Sequence, residues 1–171
     1  MHARRQFLLS GAAAAVAMTT VLTHWKARAA GLPAAPASDG KFEFARSDQQ
    51  WHQILNDQQF AVLRRGATER PYSSPLNAEH RPGVFACAGC HLVAFSSATK
   101  FDSHTGWPSF WAPLEHAIAS NEDDSFGTVR TEVHCRRCGG HLGHVFDDGP
   151  QPTGLRYCMN GLALSFMPAR V

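Results

Sequence analysis

Beyond Gly83 the chain breaks into short apolar runs. "VFAC" (84–87), "LVAF" (92–95), "GTVRTEVHC" (127–135), "LRYCMN" (155–160) and "LALSF" (162–166) are separated by Gly, Pro, Ser and Asp. Runs of this length and composition, bounded by turn residues, predict β-strands. Upstream the pattern changes. "SDQQWHQILNDQQFAVLRR" (47–65) predicts two short helices. Ser47 with Gln50, and Asn56 with Gln59, each fit a capping box, and Trp51, Ile54 and Leu55 share one apolar helical face. In between, "ERPYSSPLNAEHRPG" (69–83) holds three prolines and predicts an irregular arm. The pattern describes a mostly antiparallel β domain behind a small helical N-terminal part, with no internal repeat beyond two cysteine pairs.

The first residues follow another logic. "MHARRQFLLSGAAAAVAMTTVLTHWKARAAG" opens basic, turns apolar from about Phe7 to Leu22, and reaches small residues at Ala27-Arg28-Ala29. That order predicts a cleaved leader over residues 1–29. Arg4-Arg5 followed by Phe7-Leu8 resembles a twin-arginine signal, which predicts a bacterial protein exported already folded, to the periplasm or beyond. An uncleaved anchor and an ordinary secretory signal are the alternatives. "LPAAPASDG" completes an Ala/Pro/Gly linker over residues 30–41, and residues 42–171 form the domain. The leader also explains the charge. The whole chain of 171 residues carries a formal net charge of +2, but residues 1–29 contain four basic side chains and no acidic one. Without them twelve basic residues face fourteen acidic ones. No basic run survives, so the composition gives no footprint for nucleic acid.

Four of the five cysteines fall into two pairs, Cys87-Ala88-Gly89-Cys90 and Cys135-Arg136-Arg137-Cys138. A Cys-x-x-Cys turn presents two sulfurs to one ion, and two such turns supply a closed tetrahedral zinc site. The pairs are far apart in sequence, so the metal would staple distant strands. Disulfides are the alternative in an oxidising compartment, and iron fits the same ligands. Loading in the cytosol before export would protect the thiolates. His91 and His134 adjoin the pairs, but four sulfurs already fill the shell.

Cys158 has no partner. On a strand, Arg156, Cys158 and Asn160 point to one face and Tyr157 and Met159 to the other. A guanidinium beside the sulfur favours the nucleophilic thiolate, and an asparagine can bond a substrate oxygen. An inert buried cysteine is the alternative. Leu162, Leu164 and Phe166 share the same parity and look like core, which calls for a bulge at Gly161 or a site where the core opens. "GGHLGHVFDDGP" (139–150) adds His141 and His144, with Asp147 and Asp148 just beyond. Imidazoles exchange protons near neutral pH, and a carboxylate can hold one in the useful tautomer. "GWPSFW" (106–111) is an aromatic cluster fit for a small apolar group or for core.

Together these segments resemble the B-type methionine sulfoxide reductases, which reduce the R epimer of methionine sulfoxide. The resemblance runs from about Ser47 to Phe166 through "QQWHQIL", "VLRRGATERPY", "GVFACAGCHLVAFSSATKFDSHTGWPSF" and "VRTEVHCRRCGGHLGHVFDDGPQPTGLRYCMNGLALSF". It implies a mainly β fold of two antiparallel β-sheets with a short helical N-terminal part. It implies a structural zinc on Cys87, Cys90, Cys135 and Cys138, and Cys158 as catalytic nucleophile. Trp107 would pack on the substrate's S-methyl group with Phe110 beside it, and His141, His144, Asp148, Arg156 and Asn160 would line the site. Attack by Cys158 would leave a sulfenic acid. Many members carry a second, resolving cysteine two residues before the tryptophan; this chain has Thr105. The expectation is therefore an external reductant, a thioredoxin-like protein or a small thiol, acting on Cys158 directly. Two other classes compete: a zinc-stapled interaction domain without activity, and a peroxide-reactive thiol sensor.

Overall fold

The computed structural model describes residues 42–125 and 127–170. The leader and linker assigned to 1–29 and 30–41 lie outside the described residues. Two helices come first, α1 (Asp48–His52) and α2 (Asp57–Arg65), each opened by a complete capping box: Ser47 with Gln50, Asn56 with Gln59. Gly66 ends α2 in the left-handed conformation, at φ 68°. Helix α1 stops after His52, so helical spacing does not extend to Ile54. Trp51 and Leu55 are buried as expected, but Ile54 is 47% exposed.

Nine strands follow: β1 (Gly83–Cys87), β2 (Val93–Ser96), β3 (Lys100–Phe101), β4 (Ser109–Phe110), β5 (Ile118–Asp123), β6 (Arg130–Cys135), β7 (His141–Phe146), β8 (Arg156–Met159) and β9 (Leu164–Pro168). They form two antiparallel sheets, one ordered β2-β1-β9 and one ordered β3-β4-β8-β7-β6-β5. All five apolar runs became strands. The pattern missed four: the two-residue β3 and β4; β5, a polar strand at the sheet edge; and β7, whose His and Gly content masks its strand character.

The sheets meet through aromatic side chains. Phe85 of β1 lies edge-on to Phe110 of β4 at 5.0 Å, and Phe95 of β2 stacks on Phe110 at 4.4 Å and meets Tyr157 of β8 at 6.0 Å. Burying such rings supplies most of what drives two sheets together. The parity conflict after Cys158 resolves through a change of sheet. Gly161–Ala163 form a short 3₁₀ turn, and the chain passes from β8 in one sheet to β9 in the other. Leu164 and Phe166 therefore belong to a different face from Cys158, and no bulge at Gly161 is involved.

The arm predicted over 69–83 is irregular but anchored. Glu69 is buried, and its carboxylate accepts the backbone N–H groups of Gly161 at 2.5 Å and Leu162 at 3.0 Å. Its own N–H donates to Asn160 Oδ1 at 3.0 Å. One buried carboxylate thus ties the arm to the turn that follows Cys158.

Candidate active site

Register decides what stands beside Cys158. Ser109 of β4 and His144 of β7 are its direct partners across β8, and His144 is in turn opposite Glu132 of β6. Residues directly opposite in a sheet share a face, so Ser109, Cys158, His144 and Glu132 form one row across four strands. At β7 the register slips, with Val133 facing Gly143 but His134 facing His141, so Leu142 is an extra residue. Such a bulge reverses parity. His141 and His144, three apart, are thereby brought together, with ring centroids 5.4 Å apart. Gly143 is required here: a Cβ would stand 2.1 Å from the Cys158 carbonyl oxygen.

Cys158 opens onto a cleft of about 130 Å³ lined by Thr68, Trp107, Arg130, Gly143, His144, Phe146, Cys158 and Asn160. Trp107 is fixed by donation from its indole Nε1 to the Glu69 carbonyl at 3.2 Å. Asn160 is buried; besides accepting from Glu69 it donates to the Leu142 carbonyl at 3.2 Å.

The carboxylates that hold the histidines come from neighbouring strands. His144 Nε2 donates to Asp123 Oδ2 at 2.7 Å, and His141 Nδ1 donates to Glu132 Oε1 at 2.7 Å. Asp123 also accepts from Arg130 Nη2 at 2.6 Å and from the Ser125 hydroxyl at 2.6 Å. Hydrogen bonds from Ser125 and His144 hold its carboxyl below the usual carboxylate range, and the bond from His141 does the same for Glu132. Burial pushes the His144 imidazole down from its ordinary value, outweighing Asp123. In the neutral ring, donation to Asp123 puts the proton on Nε2 and leaves a lone pair on Nδ1.

Three expectations about this neighbourhood change. Asp148 holds no histidine. It clamps Arg156, accepting from Nε and Nη2 at 2.8 Å each, and that guanidinium lies over the Phe146 ring at 4.4 Å. Nor does Arg156 give Cys158 a low pKa. Burial pushes the thiol up, and the opposing pull of Thr105, Arg156 and Ser109 does not overcome it. Phe110 lies outside the cleft. It follows Ser109 in β4, so it points to the opposite face, where it is fully buried between the sheets. Sequence reasoning missed Thr68, Glu69, Asp123, Arg130 and Glu132. Their only signal was polar character within otherwise ordinary segments.

The four paired cysteines converge elsewhere. Each pair closes a hairpin turn, Cys87–Cys90 between β1 and β2 and Cys135–Cys138 between β6 and β7. The turns are built alike. The Cys87 carbonyl accepts from His91 N at 2.9 Å, and the Cys135 carbonyl from Gly139 N at 2.8 Å. His91 and Gly139 both take positive φ, 59° and 66°. The sulfurs pair across the turns, Cys87 Sγ 3.7 Å from Cys138 Sγ and Cys90 Sγ 3.4 Å from Cys135 Sγ, and all four lie within 4.8 Å of one another. Four sulfurs each about 2.3 Å from a central zinc stand about 3.8 Å apart, so the buried quartet fits the ion. Among the described residues it is the one cluster suited to a metal, and neither His91 nor His134 belongs to it.

Fold and site together define a two-sheet β oxidoreductase, with four thiols arranged as a metal clamp and a fifth set apart in a cleft. Comparison with known sequences gives the family. The model of the SelR domain matches residues 55–168. A peptide methionine sulfoxide reductase MsrB of Bradyrhizobium diazoefficiens is 53% identical over 124 residues, covering 72% of this chain and 89% of the relative. MsrB proteins of Leifsonia xyli subsp. xyli and Pseudomonas putida are 48% and 50% identical, over 77% and 70% of this chain and 96% and 91% of their own. The chain belongs to the SelR-domain family, the MsrB-type peptide methionine sulfoxide reductases, and is an oxidoreductase.

Proposed function

We propose that this protein reduces the R epimer of methionine sulfoxide in proteins and peptides, with Cys158 as nucleophile. The observation that carries the reading is the cleft itself: a free thiol, a fixed indole and a neutral imidazole line one small cavity. Trp107 receives the S-methyl group, and the cavity's asymmetry selects one sulfur configuration. Asn160 is placed to orient the sulfoxide oxygen.

Proton traffic follows from the resting states. Cys158 is a thiol and His144 a neutral base with Nδ1 open. His144 takes the thiol proton as the sulfur attacks the sulfoxide sulfur, then returns it as the oxygen gains negative charge. The step balances: Cys158–SH and the sulfoxide give Cys158–SOH and methionine. Cys158 loses two electrons, the substrate sulfur gains them, and the oxygen passes to the enzyme. Asp123 keeps the His144 proton on Nε2. Glu132 positions His141 behind it, and Asp148 holds Arg156 beside the nucleophile.

Regeneration requires a second thiol. Thr105 stands 3.8 Å from Cys158 Sγ, where a resolving cysteine would have to be, and the four other cysteines lie in the metal cluster. A thioredoxin-like donor or a small thiol therefore attacks the sulfenic acid directly, releasing water and leaving a mixed disulfide for a further thiol to reduce. Cys87, Cys90, Cys135 and Cys138 would hold a structural zinc, which clamps the two hairpin turns and takes no part in the reaction. Residues 1–29 serve as a twin-arginine leader, delivering the folded protein to the periplasm.

The deciding assay measures turnover of separated R and S epimers with dithiothreitol as reductant. The expected result is turnover of R alone, lost in Cys158→Ser. Equal rates on both epimers, or activity surviving that substitution, would sink the reading.

A further inference from the structure

Three hydroxyls beside the cleft are linked to one another and to Cys158. Thr105 Oγ1 lies 3.8 Å from Cys158 Sγ. Ser103 Oγ stands behind it, 2.8 Å from Thr105 Oγ1 and 2.7 Å from Ser109 Oγ. Ser109 is buried opposite Cys158 in the β4–β8 register, and its hydroxyl donates to the Trp107 carbonyl at 3.1 Å. The contacts make one line: sulfur, Thr105, Ser103, Ser109, backbone carbonyl.

Counting protons gives this line two states. Each hydroxyl has one proton and the carbonyl has none. With Cys158 a thiol, four protons fill four links, all donated away from the sulfur. With Cys158 a thiolate, three protons remain for four links. A charged sulfur is the costliest acceptor to leave without a donor. Thr105 then turns to donate to the sulfur, Ser103 to Thr105, and Ser109 to Ser103. The link left empty is the one to the Trp107 carbonyl.

We propose that Ser103, Thr105 and Ser109 form a reversible hydroxyl line that positions Cys158 in both charge states and moves the unpaired acceptor from the sulfur to the Trp107 backbone when the thiol ionises. This rests on Cys158 being the reacting thiol. The three are positioning residues, and they act unequally. Thr105 gives the anion its donor, whereas Ser109 anchors the line in the thiol state. Ser109 also pulls directly on the thiol, but that is the smallest of the opposing effects, and the link to the Trp107 carbonyl that ionisation must break outweighs it; removing Ser109 therefore eases ionisation, whereas removing Thr105 hinders it.

The other groups around Cys158 are common to every variant. They are Arg156 with Asp148; His144 with Asp123; Arg130; His141 with Glu132; and Glu69 from the arm. Asp102 and His104, in the loop that carries Thr105, are exposed and paired with each other at 3.4 Å. Differences between variants therefore report the hydroxyl line.

The test is the pH dependence of Cys158 alkylation by iodoacetamide in the full chain, with the site identified by mass spectrometry. It needs no sulfoxide turnover, so it stands or falls apart from the reductase assay. Thr105→Val is expected to raise the midpoint by about half a pH unit, Thr105→Ser to restore it, and Ser109→Ala to lower it by a similar amount. Should Ser109→Ala fail to fold, Ser103→Ala cuts the same line and carries the same sign. Both midpoints rising would show three independent donors, and unmoved midpoints would show packing alone. Either result overturns the proposal.

Discussion

Asp123 sits on an edge strand, two strands away from β7, yet it sets the chemistry of His144. One oxygen accepts from His144 and Arg130 while the other accepts from Ser125. The first contact fixes the imidazole proton on Nε2. The same carboxylate also raises the His144 pKa against the larger effect of burial. Asp123→Asn removes both influences. We expect kcat to fall about tenfold to a hundredfold with little change in KM. The sign of the pH effect follows. Without the carboxylate the imidazole pKa drops further, so the acid limb of the kcat profile moves to lower pH. An unchanged profile would show that His144 takes no proton in the rate-limiting step.

At the scale of elements, the two cysteine turns do the most. Each closes a hairpin of a different sheet, so an ion held between them ties β1–β2 to β6–β7. Helix α2 covers the junction: Arg64 Nη1 donates to the Cys138 carbonyl at 3.0 Å, and Leu63 packs against Gly89 and Gly140. Structural zinc is worth about 10 kcal/mol or more in small zinc-folded units, comparable with the whole stability of a domain, about 5–15 kcal/mol. Metal removal by a chelator, or Cys135→Ser, is therefore expected to abolish the cooperative thermal transition followed by circular dichroism. Cys158→Ser should leave it nearly unmoved. A midpoint that persists after elemental analysis shows the metal gone would mean that packing alone holds the turns.

For the whole molecule, the proposed leader would link folding to delivery. A fold that depends on a metal clamp would best acquire the ion before it meets an oxidising compartment, where the thiols could form bridges instead. A twin-arginine route carries folded cargo and suits that order. Replacing Arg4 and Arg5 by Lys together is expected to leave metal-loaded protein in the cytosol, as judged by fractionation and intact mass. Unimpaired export of the double variant would remove the twin-arginine assignment.

Much of this was legible before any coordinates. The capping boxes at Ser47 and Asn56, the five apolar runs, and each Cys-x-x-Cys turn are local patterns, and local patterns survive folding because short-range sterics and hydrogen bonding impose them. The exceptions mark where long-range register took over. Ile54 was misplaced because α1 ends one turn early. Phe110 was misplaced because a two-residue strand gives too little alternation to show its face. His141 and His144 would fall on opposite faces of a regular strand, and only the bulge at Leu142, imposed by pairing with β6, brings them together.

The sequence by itself determined which residues could do chemistry, how the sulfurs divide into two pairs and a singleton, and where most strands lie, since each rests on residue type and near-neighbour spacing. Only the tertiary structure decided that Asp123 and Glu132 serve the histidines, that Asp148 serves Arg156, that Glu69 ties the arm to the Cys158 turn, and that burial pushes the Cys158 thiol up. Those facts depend on which strands become neighbours and how much water they exclude, and neither is written in any single stretch of chain.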